Sequence, residues 1–244
     1  SLGFDVIERI NVDKKRMQAS IIDFGKKLAD GGVGVFYFAG HGIQNRNRNF
    51  ILPVDAQMQD EDYLRVEGVN VDEVLFEMGD AGNRLNVLIL DACRNNPYRS
   101  RTRGARSGGL AQMHAPTGTY ISYAAAPGEV AFDGKGEHSP YTGALLDVIG
   151  QPGVKLEDAF KRVRTKVHGV TGGRQVPFTE ETVLGDFYFK VPDENSVTSS
   201  RASGRQADED RLWNAVHDSK QAEVFEVFLS QFPSGVRAPL SRSR

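Results

Sequence analysis

The chain has 244 residues, of which 39% are hydrophobic and 25% charged, with a formal net charge of −2. This length and composition are ordinary for a globular protein with one large domain and an appendage. The near-neutral charge excludes bulk attraction to nucleic acid or an anionic membrane, and no apolar run approaches the roughly 20 residues of a membrane span. A single cysteine, Cys93, excludes an internal disulfide.

The first half of the chain alternates apolar runs with amphipathic stretches. Apolar residues at three- and four-residue spacing predict a helix that begins after an N-cap at Asp13 and stops at Gly31. Two continuously apolar runs, 33–38 and 86–93, predict buried strands. The acidic segment 57–67 predicts a surface loop. Further expected elements are a strand at Leu2–Ile7, an extended piece at 49–56 and a short helix at 70–82.

The second half begins with a long loop, 94–118, that is rich in Arg, Gly and Ser. The expected elements after it are a strand at 119–126, helices at 139–150 and 155–169, and a last strand at 185–191. Apolar strands alternating with amphipathic helices predict an α/β fold whose mostly parallel sheet is flanked by helices on both faces.

Composition divides the chain into three parts. Residues 1–191 are the expected domain, and 192–208 contain almost nothing apolar, which is typical of a linker. Residues 209–244 predict a small helical appendage that resembles repeats used for contacts with other proteins. The chain opens with Ser1 and has no signal sequence. This favours the cytoplasm but leaves open a targeting segment ahead of Ser1, since the sequence reads as a piece of a longer protein.

Two predicted strands end in polar residues that suit catalysis. His41 lies between Gly40 and Gly42 after the first, and Cys93 ends the second, 52 positions later. Because ligand sites of open α/β sheets lie beyond the carboxyl ends of strands, we expect the two residues to share one crevice. A histidine beside a cysteine takes its proton and makes it a nucleophile. The backbone N–H groups of Gly42 and Cys93 would stabilise the oxyanion.

Each of these features also has an ordinary structural interpretation. A lone histidine is usually a hydrogen-bonded surface residue, a lone cysteine a small buried apolar residue, and a glycine-rich strand exit a turn. Their combination at two neighbouring strand ends favours the catalytic pair.

Three separated blocks, in this order, resemble the caspase-like cysteine peptidases, and among them the bacterial metacaspase-like (orthocaspase) proteins. They are "FYFAGHGIQNRNRNFILPVDA", "NVLILDACRNNPY" and "GTYISYAAAPGEVAFDGKGEHSPYTGALL". The resemblance covers about residues 2–190 and implies a caspase-type fold with His41 and Cys93 as the dyad. The family's fold starts with a central strand and helix ahead of Leu2, so the sheet is expected to lack an inner strand. Metacaspases often carry serine where Ala39 stands.

The resemblance also implies a preference for basic substrates. Asp91 lies two residues before the nucleophile, as in metacaspases, which cleave after Arg or Lys. A carboxylate in the P1 pocket pairs with a guanidinium and rejects an acidic side chain. Asp133 falls near the position from which caspases supply a pocket arginine, and it can equally be a solvated turn residue before Gly134.

The expected function is therefore a cysteine endopeptidase that hydrolyses protein or peptide substrates after Arg or Lys. One alternative is a non-catalytic caspase-like scaffold or interaction domain, inactive in this truncated form. Another is a hydrolase of small esters or amides that uses the same dyad, although the G-x-S-x-G motif of such enzymes is missing from the sequence.

No cofactor is required by this chemistry, and no metal site is predicted. Many metacaspases are activated by calcium. The segment 57–67 is acidic but lacks EF-hand spacing, so a solvated acidic loop is the simpler interpretation and calcium dependence stays open.

The arginine-rich part of the long loop begins a few residues after Cys93 and separates the second and third blocks of resemblance. With a pocket for basic residues, the protein would cut itself here. The alternative is an anion-binding or simply solvated basic loop. The candidate cleavage sites follow Arg99, Arg101, Arg103 and Arg106.

Overall fold

The computed structural model describes residues 2–93, 110–127, 129–192, 206, 208–219, 221–233 and 235–242, with the backbone alone at Cys93, Ala222 and Arg242. Contacts along the chain divide it into two compact units, Ser1–Lys190 and Val191–Arg244. The first unit is built on a sheet and the second is helical.

The sheet of the first unit is mixed. In the described residues its strands are β1 (Val33–Asn45), β2 (Arg48–Ile51), β3 (Val69–Asn70), β4 (Leu85–Cys93), β5 (Thr119–Tyr123) and β6 (Phe178–Glu181), in the spatial order β3-β2-β1-β4-β5-β6. The central strands β1, β4 and β5 are parallel, whereas β2, β3 and β6 run antiparallel to their neighbours.

Helices cover both faces of this sheet, as the alternating pattern predicts. The longer ones are α1 (Lys14–Leu28), α3 (Val71–Asp80), α4 (Pro140–Ile149) and α5 (Leu156–Val170). Leu88 and Leu90 of β4 belong to a buried cluster with α1 and α3, whereas Val87 and Ile89 belong to a second cluster with α4 and α5. Successive residues of β4 therefore point to opposite apolar layers, which is why the strand is continuously apolar in sequence. The expected α/β architecture is confirmed.

Helix α1 begins and ends where its sequence indicates. The Asp13 side chain accepts a hydrogen bond of 2.8 Å from the backbone N–H of Arg16, which satisfies one free donor of the first turn. The helix ends at Leu28, and Gly31 follows with a φ of 94°, a conformation that glycine adopts at low cost.

Two expected strands are absent. Leu2–Ile7 has no regular structure, and 185–191 forms only a single bridge, between Tyr188 and Lys155. The alternating Phe187 and Phe189 imitate a strand because both pack on the apolar layer beneath α5. The last strand of the described residues is the less apolar β6 instead, which pairs with β5 from Phe178 to Glu181.

The acidic segment 57–67 is more ordered than a loop. It contains a 3₁₀ turn at Glu61–Tyr63 and one helical turn, α2, at Leu64–Glu67. Asp60 caps the turn by accepting from the backbone N–H of Asp62 at 2.9 Å, and Leu64 is fully buried beneath it. The segment stays on the surface, but its buried leucine and its cap hold it in place.

Strand β1 extends well past its predicted end. It continues through Gly40, His41 and Gly42 because its second half pairs with β2, from Gly42 to Asn45. Between Val33 and Gly40 the side of β1 that faces away from β4 pairs with no strand in the described ranges.

The second unit contains helical residues 208–216 (α6), followed by α7 (Ala222–Gln231) and α8 (Ala238–Arg242). Trp213, Phe225 and Phe228 form its buried centre. The buried Glu209 accepts from the backbone N–H groups of Val236 and Arg237, at 3.1 and 2.6 Å. Most of the predicted linker, 193–205, lies outside the described residues. No helix in the described part of either unit is both long and apolar enough to cross a membrane.

Candidate active site

The two residues proposed from sequence as a catalytic pair lie side by side in the sheet. Strands β1 and β4 are parallel and adjacent, and the register pairs His41 with Cys93, the last residue of β4. Neighbouring strands lie about 4.8 Å apart, so the backbones of the two residues are immediate neighbours. The His41 side chain is exposed, which leaves its imidazole accessible to a molecule that arrives from solvent.

Strand β1 pairs with β4 up to His41 and with β2 from Gly42 onwards, and this change of partner orients the backbone N–H of Gly42. The His41 carbonyl accepts a hydrogen bond of 2.9 Å from the Leu52 N–H and therefore points towards β2. In a trans peptide the N–H of the next residue points the opposite way. The Gly42 N–H is thus directed away from β2, towards the side of β1 on which Cys93 lies.

Gly42 has no room for a side chain. An added Cβ would lie 2.8 Å from the Cβ of Ala92 and 3.2 Å from Cδ2 of Leu110. The residue is buried in this contact. The glycine is therefore needed for packing as well as for an unobstructed N–H.

Asp91 is the buried charge of the site. Its side chain is 3% exposed, and its Oδ2 atom accepts hydrogen bonds from Ser139 Oγ and, at 2.5 Å, from Thr142 Oγ1. Its Oδ1 atom is buried and has no hydrogen-bond partner in the part of the chain that the structure describes. Buried polar atoms are nearly always paired, so Oδ1 is the oxygen of this carboxylate that can accept a further hydrogen bond.

Local sequence explains why these hydroxyls meet Asp91. Ile89 points into the layer beneath α4, so Asp91, two residues later, lies on the same face of the sheet at the start of that helix. Ser139 is the N-cap of α4 and accepts from the backbone N–H of Thr142 at 2.9 Å. One end of α4 is therefore assembled around the carboxylate.

Burial raises the pKa of Asp91 above its ordinary value of 3.8, and the hydrogen bonds from Ser139 and Thr142 oppose this rise. The negative charge of Asp133 raises the pKa of Asp91 further. Asp133 is exposed, yet it lies close enough for its charge to act on the buried carboxylate. The structure thus brings the two sequence-predicted substrate-binding carboxylates to the same region.

Sequence reasoning did not find the residue that anchors the segment before Asp133. The side chain of Gln175 is fully buried, and its Oε1 accepts from the Phe132 N–H at 3.0 Å while its Nε2 donates to the Ala124 carbonyl at 2.9 Å. Arg174 lies over the Phe132 ring, 5.3 Å from its centre. A lone glutamine after a helix carries no signal of this role, because its partners are backbone groups distant in sequence.

The four arginines proposed as self-cleavage sites lie outside the described residues. The chain that follows them is firmly held. Leu110 is buried, and Asn49 makes two hydrogen bonds to the backbone of Ala111, donating to its carbonyl at 2.8 Å and accepting from its N–H at 2.7 Å. Since Leu110 Cδ2 would lie 3.2 Å from a Cβ added to Gly42, this anchor lies beside the candidate site.

The described residues contain no group of three or more His, Cys, Asp or Glu side chains that could hold a metal ion. Within the acidic segment, Asp60 caps a turn and Glu67 accepts from the Gln57 N–H at 3.0 Å. These two carboxylates are therefore engaged in local structure.

Comparison with known proteins identifies the family of this chain. The family model described as "Caspase domain" matches residues 1–188. "Mucosa-associated lymphoid tissue lymphoma translocation protein 1" of Homo sapiens is 33% identical over 98 residues, which is 40% of this chain and 12% of the human protein. The homolog from Mus musculus is 33% identical over 98 residues, 40% of this chain and 11% of the mouse protein. The chain spans only a small part of the length of these relatives. Because the domain model matches most of the chain, the protein belongs to the caspase-domain family of cysteine peptidases.

Proposed function

We propose that the protein is a cysteine endopeptidase that cleaves after Arg or Lys, and that its nearest functional group is the bacterial metacaspase-like one. The pairing of His41 with Cys93 at the end of β4 supports the dyad. The observation that carries the specificity is the buried Oδ1 atom of Asp91, which has no partner among the described residues. An arginine or lysine at P1 would supply the missing donor and the missing positive charge.

In the proposed reaction His41 acts first as a base and then as an acid in each of two steps, the formation and the hydrolysis of a thioester. His41 takes the proton of the Cys93 thiol as the sulfur attacks the scissile carbonyl, and the N–H groups of Gly42 and Cys93 bind the oxyanion. His41 then gives this proton to the leaving amine, which leaves a thioester. Water, deprotonated by His41, hydrolyses the thioester and restores the thiol.

The decisive experiment is a panel of fluorogenic peptides that differ only at P1, with Arg, Lys or Asp, assayed with and without calcium. We expect cleavage of the Arg and Lys peptides and none of the Asp peptide, because Asp91 repels an acidic side chain. Cleavage after Asp would contradict the pocket assignment. A rate that depends on calcium would indicate an activating ion, for which the described residues contain no group of three or more His, Cys, Asp or Glu side chains.

A non-catalytic scaffold is the second candidate, and one observation favours it. From Val33 to Gly40 one side of β1 pairs with no strand in the described residues, although β1 carries His41. An unpaired strand edge leaves a row of backbone groups without partners. Strand β1 then holds His41 in position less firmly. The test compares this chain with longer ones. If only a longer chain cleaves the Arg peptide, the present chain is an inactive form of the enzyme, and if neither does, the scaffold is favoured.

We predict self-cleavage after one or more of Arg99, Arg101, Arg103 and Arg106, because this arginine-rich segment begins only a few residues after Cys93 in the sequence and suits a pocket for basic residues. The fragments would have about 100 and 140 residues. They should co-elute on size exclusion, because Asn49 and buried Leu110 hold the chain after the cut.

The measurement is the intact mass of wild-type protein beside Cys93→Ala. An intact wild type that cleaves an Arg peptide would contradict self-processing but not the peptidase. Equal cleavage in the Cys93→Ala protein would indicate a contaminating protease.

Two further expectations stay predictions. They are the contact of the C-terminal helices with another protein and the location of the protein in the cytoplasm.

A further inference from the structure

The hydroxyl groups around Asp91 form a directed chain. Thr142 Oγ1 donates its only hydrogen to Asp91 Oδ2 at 2.5 Å, so its contact of 2.6 Å with the Tyr37 hydroxyl must be one in which Tyr37 donates. Ser139 Oγ also donates to Asp91 Oδ2, while it accepts from the Thr142 N–H. Both side-chain hydroxyls that reach Asp91 therefore donate to the same oxygen of the carboxylate.

We propose that Ser139 and Thr142 are positioning residues that determine basic-P1 specificity, by holding Asp91 Oδ2 with two hydroxyl donors and presenting Oδ1 to the substrate cation. This inference rests on the proposed function in naming the P1 side chain as that cation. Neither residue touches the substrate in this arrangement. Their effect is on the orientation and the ionisation of Asp91.

Orientation follows from the geometry of a carboxylate. The carboxylate plane rotates easily about the Cβ–Cγ bond, so hydrogen bonds to one oxygen are needed to fix the direction in which the other oxygen points. Two donors on Oδ2 from the first turn of α4 select one orientation. Tyr37 fixes Thr142 from β1, so the network joins the strand of His41 to that of Asp91.

The hydrogen bonds from Ser139 and Thr142 also affect the ionisation of Asp91. Hydroxyl donors favour the charged carboxylate and lower its pKa, against the rise caused by burial. The other titratable groups that act on this region are Tyr37, Tyr141 and Asp133. Burial raises the pKa of both tyrosines, so they stay neutral near neutral pH, and Asp133 supplies the neighbouring negative charge. Removal of one hydroxyl should therefore raise the pKa of Asp91 further.

The test measures binding in a Cys93→Ala background, where no peptide bond is cut. The probe is benzamidinium, a flat cation that pairs with a carboxylate as a guanidinium does. Its affinity is measured by calorimetry, and the pKa of the Asp91 carboxyl is followed by carbon-13 NMR, with Asp91→Asn used to assign the signal. The variants are Thr142→Val, which keeps shape but removes the hydroxyl, and Thr142→Ser, which keeps the hydroxyl.

We expect Thr142→Val to weaken benzamidinium binding about tenfold, the effect of losing one hydrogen bond to a charged group, and to raise the Asp91 pKa. Thr142→Ser should retain both wild-type values. Thr165→Val is the matched control, because Thr165 is also a helical threonine whose hydroxyl bonds within the first unit, to the Lys161 carbonyl at 3.1 Å. It should change neither value. Ser139→Ala should act in the same direction as Thr142→Val.

Equal affinity and equal Asp91 pKa in wild type and Thr142→Val would overturn the proposal. A loss of affinity in Thr142→Ser as large as that in Thr142→Val would also overturn it, because packing and not the hydroxyl would then be responsible. If binding follows the expected pattern but no Arg or Lys peptide is cleaved by the Cys93 protein, the proposed function fails while the positioning role stands.

Discussion

Replacing Cys93 by alanine is expected to abolish peptide cleavage, with a loss of several orders of magnitude in kcat, because the nucleophile of a dyad carries most of the rate enhancement. The measurement is kcat/KM on an Arg peptide, beside thermal unfolding, which should change little. His41→Ala should cause a comparable loss.

The double variant separates a dyad from two independent contributions. Residues that act as one unit are strongly non-additive, so Cys93→Ala combined with His41→Ala should be no less active than either single variant. Turnover near the wild-type rate in Cys93→Ala would remove Cys93 from the mechanism. If the free-energy losses of the two single variants add in the double variant, His41 acts in some other way than on the Cys93 thiol.

Asp91→Asn is expected to reduce kcat/KM for Arg and Lys peptides about thirtyfold or more. The substitution removes one partner of a buried charge pair, which costs a free energy on the order of 2–5 kcal/mol. Asparagine has the same shape, and its oxygen still accepts from Ser139 and Thr142. Unchanged kcat/KM on an Arg peptide would remove Asp91 from the pocket.

The same substitution should not destabilise the protein at neutral pH. The pKa of Asp91 is raised in the folded state, so the contribution of this carboxyl to stability is present below its unfolded pKa, near 4, and is lost as the pH rises through its folded value. The melting temperature of wild type relative to Asp91→Asn should therefore fall as the pH rises above about 4. Asp147→Asn, which loses an exposed ion pair of 2.8 Å with Lys166, is the control. A difference that rises with pH would mean that the carboxylate is already paired in the folded protein.

Several features of the fold follow from local sequence. Asp13 and Gly31 delimit α1 because capping and positive φ depend on the residue itself and its near neighbours. The uniformly apolar residues 87–90 indicate a strand covered on both faces, and the alternation of strands with helices indicates the α/β class. The same reasoning fails at Leu2–Ile7 and 185–191, where apolar residues pack on a core without forming a strand.

The sequence by itself also selected His41, Cys93, Gly42 and Asp91 as candidates, from residue type and position at strand ends. Only the tertiary structure placed His41 opposite Cys93 in register and turned the Gly42 N–H away from β2, because strand pairing joins segments far apart in the chain. It alone showed that Ser139 and Thr142 take one oxygen of Asp91 and leave the other buried and unpaired. Hydrogen bonds between residues about 50 positions apart leave no periodic trace in a sequence, since their geometry exists only once the sheet and α4 have packed together.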